Sequence, residues 1–202
     1  MKLKSIFYAM IIMLMISACG PQKAEQLQLK IYGTSDVHGA LFPYDLVNEQ
    51  ETFSSLAQVY EYVSEQRKKA DAEVILLDNG DILQGDPLVY YSNFEKTETK
   101  HICADVMNYM GYDAATVGNH DIEPGHAVYD KVVNELNFPW MAANAVKNSD
   151  GKPYFQPYTI IEKQGVKIAV LGLITPAIPK WLPEKIWSGM HFEPMVESAK
   201  SG

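Results

Sequence analysis

Val74-Ile75-Leu76-Leu77-Asp78-Asn79-Gly80-Asp81 is the stretch whose reading decides the fold. Four apolar residues run without interruption into a polar, glycine-containing turn. An uninterrupted apolar run is expected of a strand buried on both faces, as in a parallel sheet covered by helices. The polar residues then fall at the strand's C-terminal end, where open α/β sheets place their chemistry.

The same pattern recurs on either side. Upstream, Leu27 to Tyr32 reads as a first strand running into Thr34-Ser35-Asp36-Val37-His38-Gly39. Downstream, Ala114 to Val117 is a short strand ahead of Gly118-Asn119-His120-Asp121. Gln84-Gly85-Asp86-Pro87 follows the quoted stretch closely. Phe53, Leu56, Val59, Tyr60 and Val63 recur at helical spacing up to the charged Arg67-Lys68-Lys69. A second helix is expected over Ile102 to Met110, stopping at Gly111. A third is marked by Val128, Val132, Val133 and Leu136 and closed by Phe138-Pro139. Trp140 to Ala145 reads as a fourth strand. Tyr158 to Glu162, Gln164-Gly165 and Val166 to Ile174 read as a hairpin, broken off by Pro176 and Pro179. Alternating strands and helices imply a layered α/β domain with helices on the sheet faces.

The chain has 202 residues, 47% of them apolar, enough for one domain with a sizeable core but not for two large ones. Its formal charge of −8 makes it a poor non-specific binder of nucleic acid, so a polymeric DNA or RNA partner is disfavoured. The N-terminus reads as an export signal: Lys2 and Lys4, the apolar run Ile6 to Ile16, then Ser17, Ala18 and Cys19. That run is shorter than the roughly 20 residues a bilayer span needs. Ile16-Ser17-Ala18-Cys19 resembles a bacterial lipobox, in which cleavage precedes a lipid-bearing cysteine; an ordinary signal peptide is the alternative. The expected divisions are a signal over 1–18, a tether over 19–26 and one domain over 27–202. Removal of residues 1–18 takes two lysines and leaves a charge of −10. Cys103 would then have no intrachain partner, and its helical spacing to Val106, Met107 and Met110 marks a buried apolar thiol.

Asp, His and Asn side chains at the strand ends are competent N/O ligands for a divalent metal. Asp36 and His38, two apart, would share one side of an extended backbone. Asp81 adds a carboxylate that can bridge two cations, with Gly80 allowing close backbone approach. Asn119 offers a neutral carbonyl, and His120 is left free for proton chemistry.

In this order, the four motifs resemble those of the calcineurin-like metallophosphoesterases, and among them the secreted 5′-nucleotidase / 2′,3′-cyclic phosphodiesterase family. The likeness runs from about Leu29 to the end of the chain. Asp78 to Pro87, Pro153 to Tyr158 and Ile174-Thr175-Pro176 look most like the cyclic-nucleotide phosphodiesterase/3′-nucleotidase branch. The resemblance implies a layered α/β fold of central mixed β-sheets flanked by helices. It also implies a hydrolase acting on nucleotide phosphomonoesters or 2′,3′-cyclic nucleotides. By motif, Asp36 and His38 would hold one metal, Asp81 would bridge, and Asn119 would bind the second. His120 would contact the phosphoryl group and help the leaving oxygen depart. Glu123, where relatives often have Asp or Asn, would orient His120, with Asp121 the adjacent alternative. Two divalent ions, Zn, Mn, Fe or Co, would activate a shared water from roughly 3.5–4 Å apart. Relatives carry two further metal-binding histidines downstream and a C-terminal domain whose aromatic residues clamp the base. His101, His126 and His191 lie in no matching motif. The chain is therefore expected to be cut within its catalytic domain. A catalytically incomplete, lipid-anchored binding or vestigial module is the alternative to an active enzyme.

The site of action implied is the periplasm or a cell-envelope membrane surface, reached by an exported lipoprotein. Mass spectrometry of the mature N-terminus should find acylated Cys19. A Cys19→Ser variant that still partitions fully with membranes would contradict the anchor.

Overall fold

Two apolar runs set the sheet. In the computed structural model, which describes residues 26–201, the first is β1 (Leu29–Thr34). The signal segment, Cys19 and nearly all of the tether lie outside the described residues. After a short antiparallel ribbon of β2 (Tyr44–Asp45) and β3 (Gln50–Glu51) comes β4 (Glu73–Asp78). It pairs in parallel with β1, from Leu29 opposite Glu73 to Thr34 opposite Asp78. β5 (Ala114–Thr116) and β6 (Trp140–Met141) extend the parallel order to β1-β4-β5-β6. β7 (Ala145–Lys147), the hairpin of β8 (Tyr158–Lys163) and β9 (Val166–Leu171), and β10 (Met190–Phe192) follow, with β10 antiparallel to β7.

β4 behaves as its sequence demands. Ile75 and Leu76 are almost wholly buried, each burial being worth about 1.5–3 kcal/mol. β1 lies at the sheet edge, and its Ile31 is exposed. Helices Leu56–Lys68, Ile102–Met110 and His126–Glu135 supply Leu56, Val63, Met107, Met110, Val128 and Val132 to the common core. Arg67, at the end of the first of these helices, donates to the Met110 and Gly111 carbonyls at 2.6 and 2.7 Å. It thereby satisfies the C-terminus that Gly111 closes at φ 68°.

Two expectations shift. Phe53 precedes the first helix, which starts after Ser55 at its N-cap, and is 90% exposed. The single strand expected over Trp140 to Ala145 is split into β6 and β7. Asn144 causes the break: its amide donates to the Ile174 and Glu193 carbonyls at 2.7 and 2.9 Å, and its oxygen accepts from Ile174 N at 2.9 Å. A buried side chain so engaged turns the backbone out of the ladder.

Cys103 is buried as expected, and burial pushes its thiol pKa up. His101 is also fully buried, at the N-cap of helix Ile102–Met110. Its Nδ1 accepts from Cys103 N at 3.2 Å, so Nε2 carries the proton and donates to Asn93 Oδ1 at 2.8 Å. Burial pulls its pKa from 6.5 down to about 4. A histidine held neutral binds fewer protons folded than unfolded between those values. The stability it contributes is therefore intact above pH 6.5 and lost as pH falls towards 4. At 1.36 kcal/mol per pKa unit, the loss is about 3 kcal/mol. Urea unfolding of the wild type and His101→Gln at both pH values should show this excess loss in the wild type only. Parallel pH profiles would contradict it.

Candidate metal centre

Three adjacent parallel strands end side by side, and backbone hydrogen bonds lace their loops together. Asn79 N donates to Thr34 O at 2.8 Å, Asp36 N to Gly80 O at 3.1 Å, and His38 N to Asp81 O at 2.9 Å. Asp36, His38 and Asp81 adopt positive φ angles of 53°, 49° and 65°. Such backbone costs about 1 kcal/mol or more per non-glycine residue and collects at functional sites. The extended geometry assumed for residues 36–38 is therefore not adopted, and side chains two apart do not share a side there.

Asp121 ties the second loop to the third. Its Oδ2 accepts from Asp81 N at 2.9 Å and Gly118 N at 2.8 Å. Its Oδ1 accepts from Ile82 N and Leu83 N at 2.9 and 3.0 Å. Burial raises its pKa, and these N–H dipoles oppose the rise. Asp81 returns the contact, its Oδ1 accepting from His120 N at 2.7 Å. The loops meet where neither can carry a Cβ: a methyl on Gly80, at φ 91°, would stand 2.5 Å from Gly118 N, and one on Gly118 would overlap Asp81 Oδ1.

The result is a cluster. His38, Asp81 and His120 each present a ligand atom within 4.8 Å of the others, and all three are half-buried. The two imidazole rings lie 5.0 Å apart, edge to face. His38 Nδ1 is 2.7 Å from Gln84 Oε1, which leaves Nε2 to the cluster. His120 Nδ1 lies 2.8 Å from Glu123 Oε1, but buried and out of line for a hydrogen bond. Two imidazoles and a carboxylate suit Zn, Mn, Fe or Co, and a poorly satisfied imidazole beside strained loops fits an ion-binding centre.

The expected ligands are only partly gathered. Asp36 is exposed and takes a hydrogen bond from the Ser35 hydroxyl, outside the cluster. Asn119 opens the short helix Asn119–Ile122, half-buried and next to His120. His120, expected to do proton chemistry, stands among the metal-capable groups. His101 is the buried cap described above. His126 bonds to Tyr154 and the Ser188 carbonyl, and His191 lies 2.7 Å from Asn148 Oδ1. None of these three belongs to the cluster.

Sequence reasoning missed two supports. Asp78 is the buried last residue of β4, between β1 and β5, and accepts from Thr34 Oγ1 at 2.6 Å and Gly80 N at 2.9 Å. Burial first, with the nearby Asp121 and Asp81 charges, raises its pKa to about 7 against the Thr34 and Gly80 hydrogen bonds. Gln84 orients His38 from within Gln84-Gly85-Asp86-Pro87, where the glutamine itself was the signal. A cleft of ≈ 580 Å³ opens beside Gln84 and Glu123. A second cavity, ≈ 490 Å³, lies at the opposite end of the sheet near Gln28, Asp71 and Lys163, away from every candidate residue.

Comparison with known proteins agrees with this fold. The profile of the calcineurin-like phosphoesterases matches residues 29–193. The chain is 32% identical over 209 residues to a 5′-nucleotidase of Vibrio cholerae, covering 98% of this chain and 35% of that protein. It is 29% identical over 192 residues to a 2′,3′-cyclic-nucleotide 2′-phosphodiesterase/3′-nucleotidase of Haemophilus influenzae, covering 86% of this chain and 28% of that protein. The crystal structure of the calcineurin-like phosphoesterase YfkN from Bacillus subtilis superposes with a TM-score of 0.77 at 30% identity, covering 87% of this chain and 57% of that one. The chain thus spans about a third of the length of these two curated relatives.

Asp121→Ala would leave four backbone N–H groups without their acceptor. Each buried unpaired donor costs about 1–3 kcal/mol, so urea unfolding should show a loss of at least about 3 kcal/mol. A change within the few tenths typical of surface substitutions would show that Asp121 does not hold the loops.

Proposed function

The chain belongs to the calcineurin-like phosphoesterase family, and from that premise we propose that it carries the metal-binding heart of a hydrolase acting on nucleotides. The substrates proposed are nucleotide phosphomonoesters and 2′,3′-cyclic nucleotides, the classes named in its relatives. The observation that carries the proposal is the gathering of His38, Asp81 and His120 at three adjacent strand ends. His38 and Asp81 would hold divalent metal, with Asn119 and Asp36 completing the set when an ion draws them in. Bound cations would supply the positive charge that polarises a phosphoryl group and acidifies an attacking water. His120 would lend a proton to the departing oxygen, and Glu123, 2.8 Å from its Nδ1, would orient the imidazole.

No nucleophilic serine or cysteine motif is needed for this chemistry, and Cys103 is buried and protonated. Among the described residues no helix is long and apolar enough to cross a membrane. Attachment through acylated Cys19 remains part of the proposal. The position of Asp36 outside the cluster supports a second reading, in which the chain binds metal without turning substrate over.

Two variants separate the roles. His120→Ala should retain metal and lower hydrolysis of adenosine 3′-phosphate by about 10²–10⁴-fold, the range for a proton-transfer group. Asp81→Ala should lose metal, read by elemental analysis of the purified protein. Metal lost from His120→Ala and kept by Asp81→Ala would reverse the assignment. Metal bound by the wild type with no hydrolysis would establish the second reading.

A further inference from the structure

A neutral imidazole that holds a metal gives one ring nitrogen to the ion and must place the proton of the other. In His38 that other nitrogen is Nδ1, 2.7 Å from Gln84 Oε1. An amide oxygen can only accept, so Nδ1 carries the proton and Nε2 keeps its lone pair. Turned over, the same amide would donate to Nδ1, and the proton would move to Nε2 and face the cluster. His120 lacks this support, since its Nδ1 is buried without a hydrogen bond. Of the two imidazoles in the cluster, His38 is the one whose tautomer a hydrogen bond decides.

Backbone on both sides holds the contact in place. Leu83 N is bound by Asp121 Oδ1 at 3.0 Å, and Asp86 caps helix Pro87–Tyr90 by accepting from Leu88 N at 2.8 Å. Between them Gly85, at φ 116°, lies against His38: a methyl there would stand 2.5 Å from His38 O and 2.9 Å from His38 Cβ. His38 is fixed in turn by its N–H to Asp81 O at 2.9 Å. The Gln84 side chain is itself exposed and adds nothing to the hydrophobic core.

The amide also brings no charge. Metal-holding imidazoles commonly lean on a carboxylate or a backbone carbonyl. A carboxylate at position 84 would join Asp78, Asp81 and Asp121, three acidic groups already close together. It would oppose the approach of any phosphoryl group.

We infer that Gln84 is a positioning residue of the metal centre: its amide oxygen fixes His38 as the Nδ1–H tautomer, leaves Nε2 to the ion and adds no charge where an anion must enter. The inference rests on the reading of His38 as a metal-holding residue, but the tautomer can be measured with no ion present.

The test pairs two measurements on the wild type, Gln84→Met and Gln84→Glu. Long-range ¹H–¹⁵N correlation of the metal-free protein at mildly alkaline pH reads the His38 tautomer. Calorimetric titration reads Mn²⁺ affinity, and then that of inorganic phosphate for the Mn²⁺-loaded protein. The wild type should show Nδ1–H. Gln84→Met keeps the length and removes the acceptor; it should lose that preference and bind Mn²⁺ about 10–100-fold more weakly, with an unchanged melting temperature. Gln84→Glu restores an acceptor and should hold Mn²⁺ at least as tightly as the wild type, but bind phosphate about two- to fivefold more weakly. An Nε2–H tautomer in the wild type overturns the inference, as does wild-type Mn²⁺ affinity in Gln84→Met. Weaker Mn²⁺ binding with the tautomer unchanged would reduce Gln84 to a structural role. Phosphate bound equally by Gln84→Glu overturns the charge argument. No Mn²⁺ uptake by the wild type, with Nδ1–H lost in Gln84→Met, would count against the metal reading and leave the positioning of His38 standing.

Discussion

One buried carboxylate organises the working end of this molecule. Asp121 accepts four backbone N–H groups from two loops that are almost forty residues apart in sequence. A loop between strand and helix has N–H groups with no ladder partner, and burying them unpaired is expensive. Asp121 removes that penalty for three consecutive residues of one loop and one of the other. Asp81, positioned by this contact, then accepts His120 N in return. The two aspartates exchange backbone partners across the gap, and the His120 imidazole is delivered beside Asp81 as a consequence.

The arrangement concentrates negative charge. Asp78, Asp81 and Asp121 repel one another, and the repulsion contributes to the raised pKa of Asp78 and Asp121. A structural site would relieve that tension with a lysine or arginine. Here the imidazoles of His38 and His120 stand beside Asp81. Together with three left-handed non-glycine residues, this is a locally costly assembly sustained by the surrounding sheet. A divalent cation is the partner that relieves the repulsion and rewards the strain at once.

Much of this was legible in the sequence. The run Val74 to Leu77 is long enough and apolar enough to identify a doubly buried parallel strand, and three of the four candidate motifs follow the ends of the parallel strands β1, β4 and β5. Asp81 and His38, metal-capable by their residue types and position, come together. Periodicity misplaced Phe53, because a helix start depends on a cap and not on the apolar repeat alone. It also missed the break at Asn144, whose partners Ile174 and Glu193 are tertiary and leave no local trace. The left-handed backbone at Asp36 and His38 was hidden for a related reason. Positive φ is signalled by glycine, and here it accompanies hydrogen bonds that Asp36 N and His38 N donate to the Gly80 and Asp81 carbonyls. The role of Asp121 was likewise invisible, since its partners are main-chain groups of a different loop.

The central claim is that His38 and Asp81 hold a divalent metal beside His120. Anomalous diffraction from crystals grown with Mn²⁺ addresses it directly, because the scattering peak locates the ion without reference to activity. The account predicts a peak within coordination distance of the Asp81 carboxylate and the His38 imidazole. A cluster empty of anomalous density while Mn²⁺ occupies another part of the protein would contradict it.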